Sequence, residues 1–129
     1  MAERPLSPHI TVYRWAYTMT LSILHRVTGV ALAVALIGLV AWLVAASMGA
    51  DSYAALLPLL TGVPGKLTIA LAVAALIYHF CNGLRHLAWD LGAGFERADA
   101  RRSAVLVVAA TLIGAVLCLY FIFRGAGAA

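Results

Sequence analysis

Charge is scarce in this chain. Among 129 residues there are nine Lys or Arg and five Asp or Glu, 11% in all. Soluble domains carry roughly 25%. An ordinary water-facing surface cannot be built from so few, and 64% of the residues are hydrophobic. Mean hydropathy is +0.99. So apolar a chain needs lipid as its solvent, and it is not disordered. Cysteine is equally sparse. Cys81 and Cys118 both sit inside apolar runs, so there is no disulfide framework and no paired metal motif. The catalytic signatures of soluble enzymes are missing too. There is no glycine-rich phosphate loop, CxxC, HExxH or nucleophile elbow, and no flavin or iron–sulfur motif. Any redox reaction must be completed by partners. The opening MAERPLSPHI has no apolar h-region and no small-residue cleavage site, so no signal peptide is expected. The net charge of +4 is better read by membrane side than as a nucleic-acid footprint.

What is present is three long apolar runs. They are Val27 to Ser47, Leu67 to Leu84 and Ser103 to Phe123. Each approaches or reaches the roughly 20 residues a helix needs to cross a bilayer core. All are rich in Ala, Leu and Val and free of proline. That favours helices, which pair every backbone amide internally, over barrel strands. The expected fold is therefore all-α: one membrane-anchor domain over 1–129, a bundle of three transmembrane helices. The spans are expected at about 22–48, 67–90 and 103–123, after an N-terminal segment 1–21. Between them, Gly49 to Lys66, with Pro58, Gly62, Pro64 and Gly65, reads as a loop. Gly92 to Arg102 reads as a polar turn.

The basic residues are lopsided. Arg4, Arg14, Arg26, Arg85, Arg97, Arg101 and Arg102 fall on one side, Lys66 and Arg124 on the other. The positive-inside rule then places the N-terminus in the cytoplasm or matrix and the C-terminus outside. Trp15, Tyr17, Trp42, Tyr53, Trp89 and Tyr120 lie near span ends, where interfacial aromatics belong.

Ionisable groups within or beside a span are costly unless paired, hydrated or snorkelling, so they are the informative positions. His79 lies in the middle of the second span, about 18 Å from Leu67 along a helix axis. It is either a histidine hydrogen-bonded to a neighbouring helix or a metal or haem ligand. At 100° per residue, Gly83, His86 and Asp90 fall within about 40° of it. A glycine one turn away leaves room for a flat macrocycle, or for a close helix contact. His79 and His86 are roughly 10 Å apart along the axis. Axial nitrogens across one iron are only about 4 Å apart, at about 2 Å each. One straight helix cannot supply both, so if a haem is held by two histidines the second is expected from another chain, identical or different. His25, at the edge of the first span, is expected well above the level of His79 and nearer a propionate than the iron. Ser22 and Arg26 lie one helical turn apart. They suit a small polar head group such as a quinone carbonyl or a propionate; alternatively they are a helix start with a snorkelling arginine. Arg85 is expected to snorkel, and Asp90 to pair with it or with another chain. Cys81 reads as a small packing residue.

Two blocks carry a resemblance. The first is Arg4-Pro5, then Ser22-x-x-His25-Arg26-x-Thr28. The second is His79-x-x-x-Gly83-Leu84-Arg85-His86-Leu87-x-Trp89-Asp90-x-Gly92. Together they resemble the cytochrome b membrane-anchor subunit of succinate dehydrogenase, respiratory complex II. The motifs cover about the first two-thirds of the chain, and topology covers the rest. The resemblance implies a haem b held with a second small anchor subunit that supplies the other axial histidine. It also implies docking to an iron–sulfur subunit, itself fed by a flavoprotein subunit, and reduction of ubiquinone or another quinone. Residue by residue, His79 matches the axial ligand. His25 and Arg26 match positions near the haem propionates and quinone, and Ser22 and Arg26 the quinone site. His86 matches a further haem-proximal histidine, and Asp90 an interface or proton network. The implied location is the bacterial inner membrane in preference to the mitochondrial one. The competing expectations are a haem-free structural anchor and the anchor of a fumarate reductase.

Overall fold

The computed structural model describes residues 15–125, apart from the side chains at 123 and 125. Arg4, Pro5 and Arg14 lie outside the described residues. Four helices follow in order: α1 (Tyr17–Ser47), α2 (Ala50–Thr61), α3 (Val63–Asp90) and α4 (Arg97–Gly125). Among the described residues there is no strand. Three helices are long and apolar enough to cross a membrane: Tyr17–Ser47, Val63–Asp90 and Arg97–Ile122. The expected all-α, three-span architecture is present. Its helices outrun the apolar stretches that announced them, because a helix continues past the point where its side chains turn polar.

The loop expected from Gly49 to Lys66 is mostly helix. Gly49, at φ 107°, turns the chain after α1, and Asp51 then sits in the first turn of α2, where a carboxylate complements the helix dipole. The Ala/Leu sequence AALLPLL favours helix strongly enough to carry Pro58 within it. Gly62 ends α2, and Pro64 enters the first turn of α3, where a missing N–H costs nothing. Gly65 is confined at this corner. A Cβ there would collide with the backbone carbonyls of Leu59 and Leu60. The second expected loop shortens to 91–96, since α4 begins at Arg97 and not at Ser103. Gly92 and Gly94 take positive φ in that turn. The Gly92 amide donates to the Trp89 carbonyl at 2.8 Å, and that of Ala93 to Ala88 at 3.0 Å, closing the end of α3.

Helix α3 is central. It packs along both α1 and α4, which barely meet one another, while the short α2 leans on α1 and α3. The buried cluster is small: Leu21, Tyr78, Ala104 and Val107, with Cys81 packed against it. Most large apolar side chains of α1 and α4 are exposed, as lipid-facing helices require. With lipid outside, apolar contact gives little net attraction between helices, so polar joints matter more. The Tyr78 hydroxyl supplies one. It donates to the Leu21 carbonyl at 2.7 Å, buried between α3 and α1.

Removing that donor leaves the joint open. Tyr78→Phe is expected to lower stability in detergent by about 1–2 kcal/mol, the cost of losing a buried hydrogen bond. Denaturant titration of the purified protein measures it. An unchanged midpoint would show that this bond does not hold α1 to α3.

Candidate functional site

Three histidines meet where α1 and α3 cross. His79, on α3, points its Nδ1 at the backbone carbonyl of His25 on α1, 3.1 Å away. Thr28 Oγ1 lies 3.3 Å from the same nitrogen. That hydroxyl donates back to the Leu24 carbonyl at 2.8 Å, so it is free to accept from His79. A carbonyl can only accept, which puts the ring proton on Nδ1 and leaves the lone pair on Nε2. This is the tautomer a metal-ligating imidazole needs, with its other nitrogen held by an outer partner.

The His25 ring lies flat against His79, with centroids 3.9 Å apart and planes 11° apart. This corrects the expected separation in level. α1 begins at Tyr17, so His25 is already two turns into the helix. α1 then crosses α3 with its histidine opposite His79. His86 joins the group, its ring 5.0 Å from that of His25 and 5.3 Å, edge-on, from Trp89. Among the described residues, His25 Nδ1 is buried without a hydrogen-bond partner.

Glycines make the crossing possible. A Cβ on Gly29 would come within 3.0 Å of His79 Cε1, and one on Gly83 within 3.7 Å of His25 Cε1. Both glycines therefore serve a close contact between α1 and α3 that also seats imidazole rings.

Arg85 does not pair with Asp90 and does not snorkel. It is only 5% exposed. Its Nε donates to Ser103 Oγ at 3.0 Å, and Nη2 to the Ala100 carbonyl at 3.1 Å. Nη1 reaches Asn82 Oδ1 at 3.5 Å, and the guanidinium carbon lies 4.1 Å above the Trp89 ring. α4 starts early enough to bring Ala100 and Ser103 level with Arg85, so their oxygens compete successfully with water. Asp90 is exposed at the end of α3 and is in no ion pair among the described residues. Asn82, which sequence reasoning does not single out, is fully buried and donates from Nδ2 to His86 Nε2 at 3.3 Å. Its spacing, three residues after His79 and four before His86, is the available signal. Trp89, expected at the membrane interface, packs against Arg85 and His86, and its indole donates to the Gly94 carbonyl at 3.1 Å.

Ser22 and Arg26 stand apart from the histidine group. Among the described residues neither side chain makes a hydrogen bond. Arg26 edges a shallow, almost wholly apolar cavity of about 430 Å³ with Val27, Val30 and Ala31. The groups present can bind a metal through nitrogen and donate to an oxygen. One imidazole is held with an open Nε2, and a guanidinium sits beside an apolar recess.

Residues 1–118 match the family described as succinate dehydrogenase/fumarate reductase transmembrane subunit. The chain is 42% identical over 119 residues to the succinate dehydrogenase cytochrome b560 subunit, mitochondrial, of Sus scrofa, covering 89% of this chain and 69% of that one. It is 38% identical over 115 residues to the cytochrome b556 subunit of Rickettsia bellii, covering 89% and 90%. Against the b556 subunit of Paracoccus denitrificans it is 37% identical over 123 residues, covering 94% and 95%.

The packing of Gly29 gives a direct check. Gly29→Leu is expected to push the His79 ring off the His25 carbonyl and cost about 1–3 kcal/mol through overpacking. Gly38→Leu, on the same helix with nothing within 4 Å, is expected to change little. Equal melting temperatures for the two variants would contradict the close seat described for His79.

Proposed function

The chain belongs to the succinate dehydrogenase/fumarate reductase transmembrane-subunit family, and from that premise we propose that it anchors a succinate:quinone oxidoreductase and holds its haem b. As a member it is a membrane subunit of an oxidoreductase complex. The relatives described above are named as cytochrome b subunits of succinate dehydrogenase, which favours succinate oxidation over the fumarate reductase alternative and haem b over a haem-free anchor. Bacterial and mitochondrial relatives are about equally similar, so the comparisons do not support the preference for a bacterial inner membrane. The positive-inside asymmetry favours the cytoplasmic or matrix face for the starts of α1 and α4 and the end of α3.

The observation that carries the reading is the seat of His79. Its Nδ1 is engaged by the His25 carbonyl, so Nε2 is the nitrogen that would bind iron. The carbonyl also fixes the ring's orientation and raises its basicity. Gly29 and Gly83 keep side chains away from the two rings, and His25 Nδ1 is a buried polar atom without a partner among the described residues. These features fit a haem. When bound, haem b supplies a one-electron store beside the quinone site.

His25 and Arg26 are the residues that would meet its propionates, with His86 nearby. His25 and His79 lie face to face, so the two rings of this chain would not both hold one iron. A second histidine ligand would then come from a second anchor subunit. Ser22 and Arg26 would hold a quinone by donating to a ring carbonyl, which stabilises negative charge as it develops there. The apolar recess beside Arg26 suits the ring's edge or tail. Asp90, the last residue of α3, would serve an interface with the iron–sulfur subunit or a proton path. Succinate itself would be oxidised in the flavoprotein subunit, and its electrons would arrive through the iron–sulfur subunit.

His79→Ala is expected to remove or shift the b-type band in a succinate-reduced minus oxidised spectrum of the purified complex. An unaltered spectrum would reject His79 as ligand. Arg26→Leu is expected to lower quinone reductase activity about tenfold or more, the loss of one charge-assisted hydrogen bond, while the subunits still co-purify. Full turnover with poor co-purification would instead make Arg26 a structural residue.

A further inference from the structure

Three polar side chains on α3 form a directed chain: Arg85, Asn82 and His86. Its direction follows from which groups can donate. Arginine has donors only, and here Nη1 faces Asn82 at 3.5 Å. The atom of Asn82 turned to it must therefore be the amide oxygen. That orientation turns the Nδ2 hydrogens to His86, 3.3 Å away. His86 Nε2 must then accept, so its ring proton resides on Nδ1. Arg85 is itself fixed from α4, through Ser103 Oγ and the Ala100 carbonyl. The Ser103 hydroxyl donates to that same carbonyl at 3.2 Å, leaving its lone pairs for Arg85. Asn82 is 0% exposed, so no water competes for either end of its amide. A flipped amide would set donor against donor at Arg85, and a buried clash of that kind costs more than the bond gains.

We propose that Asn82, oriented by Arg85, is a positioning residue that closes His86 Nε2 and leaves His86 to meet the bound group as an Nδ1–H donor. This deepens the haem and quinone reading and rests on it for what the bound group is. The two histidines of this face share one tautomer and have opposite duties. The backbone of α1 holds His79 by Nδ1, which opens Nε2 to iron. Asn82 holds His86 by Nε2, which withdraws that nitrogen from ligation and offers a proton to an oxygen acceptor. One imidazole is thereby a ligand and the other a donor.

The test is nitrogen NMR of the purified, reduced complex labelled with 15N-histidine, with His86 assigned by the signal lost in His86→Gln. In the wild type, His86 is expected to show a protonated Nδ1 and a hydrogen-bonded, unprotonated Nε2. In Asn82→Asp the carboxylate can only accept, so the proton is expected to move to Nε2 and the two resonances to exchange character. In Asn82→Leu the Nε2 resonance is expected to shift to the position of a free lone pair. The b-type band should survive both changes, since His79 is held independently. A wild-type His86 protonated on Nε2, or one tautomer throughout the series, would overturn the proposal. The wild-type spectrum alone decides this if a variant fails to fold. Loss of the haem assignment would show in His79→Ala and not in these resonances, so the two failures are separable.

Discussion

A buried guanidinium joins α3 to α4, and much of the rest depends on it. Arg85 keeps its charge at the end of a transmembrane helix with no carboxylate paired to it among the described residues. An uncompensated charge in such a place is expensive. The cost is met by spreading it. Two oxygens of α4 accept from the guanidinium, the Asn82 amide faces it, and the Trp89 ring lies beneath it. A cation over an indole gains about 2 kcal/mol when desolvated. With Arg85 fixed, α4 cannot slide along α3. The Asn82 amide then has one orientation and His86 one tautomer. Helix packing and the chemistry of the histidine group are thus set by the same side chain.

The other joint has the same character. His79 and Tyr78 are adjacent on α3, and each reaches a carbonyl of α1, that of His25 and that of Leu21. Those carbonyls already serve the internal ladder of α1 and lend their second lone pairs. In water such contacts would compete with solvent. Between helices in lipid they are the best option available to the side chain, although the net gain per bond stays modest. α3 is therefore fastened on both sides along the half that ends at Asp90. Close packing adds to this, as where Gly114 of α4 lies against Ile77.

The three spans are legible because lipid imposes a simple rule. A run of about twenty uncharged residues has few stable forms besides a membrane-crossing helix. Helix ends are less legible. The polar turn before α4 is shorter than its composition suggests, since Arg97, Asp99 and Arg102 are as acceptable in an exposed helical turn as in a loop. Asp99 and Arg102 even pair there, at 3.5 Å. α2 is hidden for the opposite reason. Two prolines and three glycines from Gly49 through Lys66 outweigh the Ala/Leu run among them. Yet Pro58 is accommodated inside α2, and Pro64 starts α3.

At the site, residue type is easier to read than residue partner. A histidine in mid-span stands out on its own, and Gly83 and His86 follow from their spacing to it. The stacking of His25 on His79 is not foreseeable, because it depends on how α1 crosses α3 and not on either sequence alone. For Arg85, the nearest opposite charge on its own helix is Asp90, yet its partners are neutral oxygens on α4. The flat stacking has a further consequence. On the haem reading, two imidazoles facing each other at 3.9 Å would leave no room for the group between them, which argues against His25 as a ligand. This chain would then offer one side of a pocket: a fixed nitrogen, a donor beside it and a glycine-lined seat. On the haem reading, the wall that faces His79 Nε2 then comes from outside the chain. A membrane subunit with an open nitrogen at mid-span is stable in isolation only at a desolvation cost, which binding a metal and a neighbouring helix would remove.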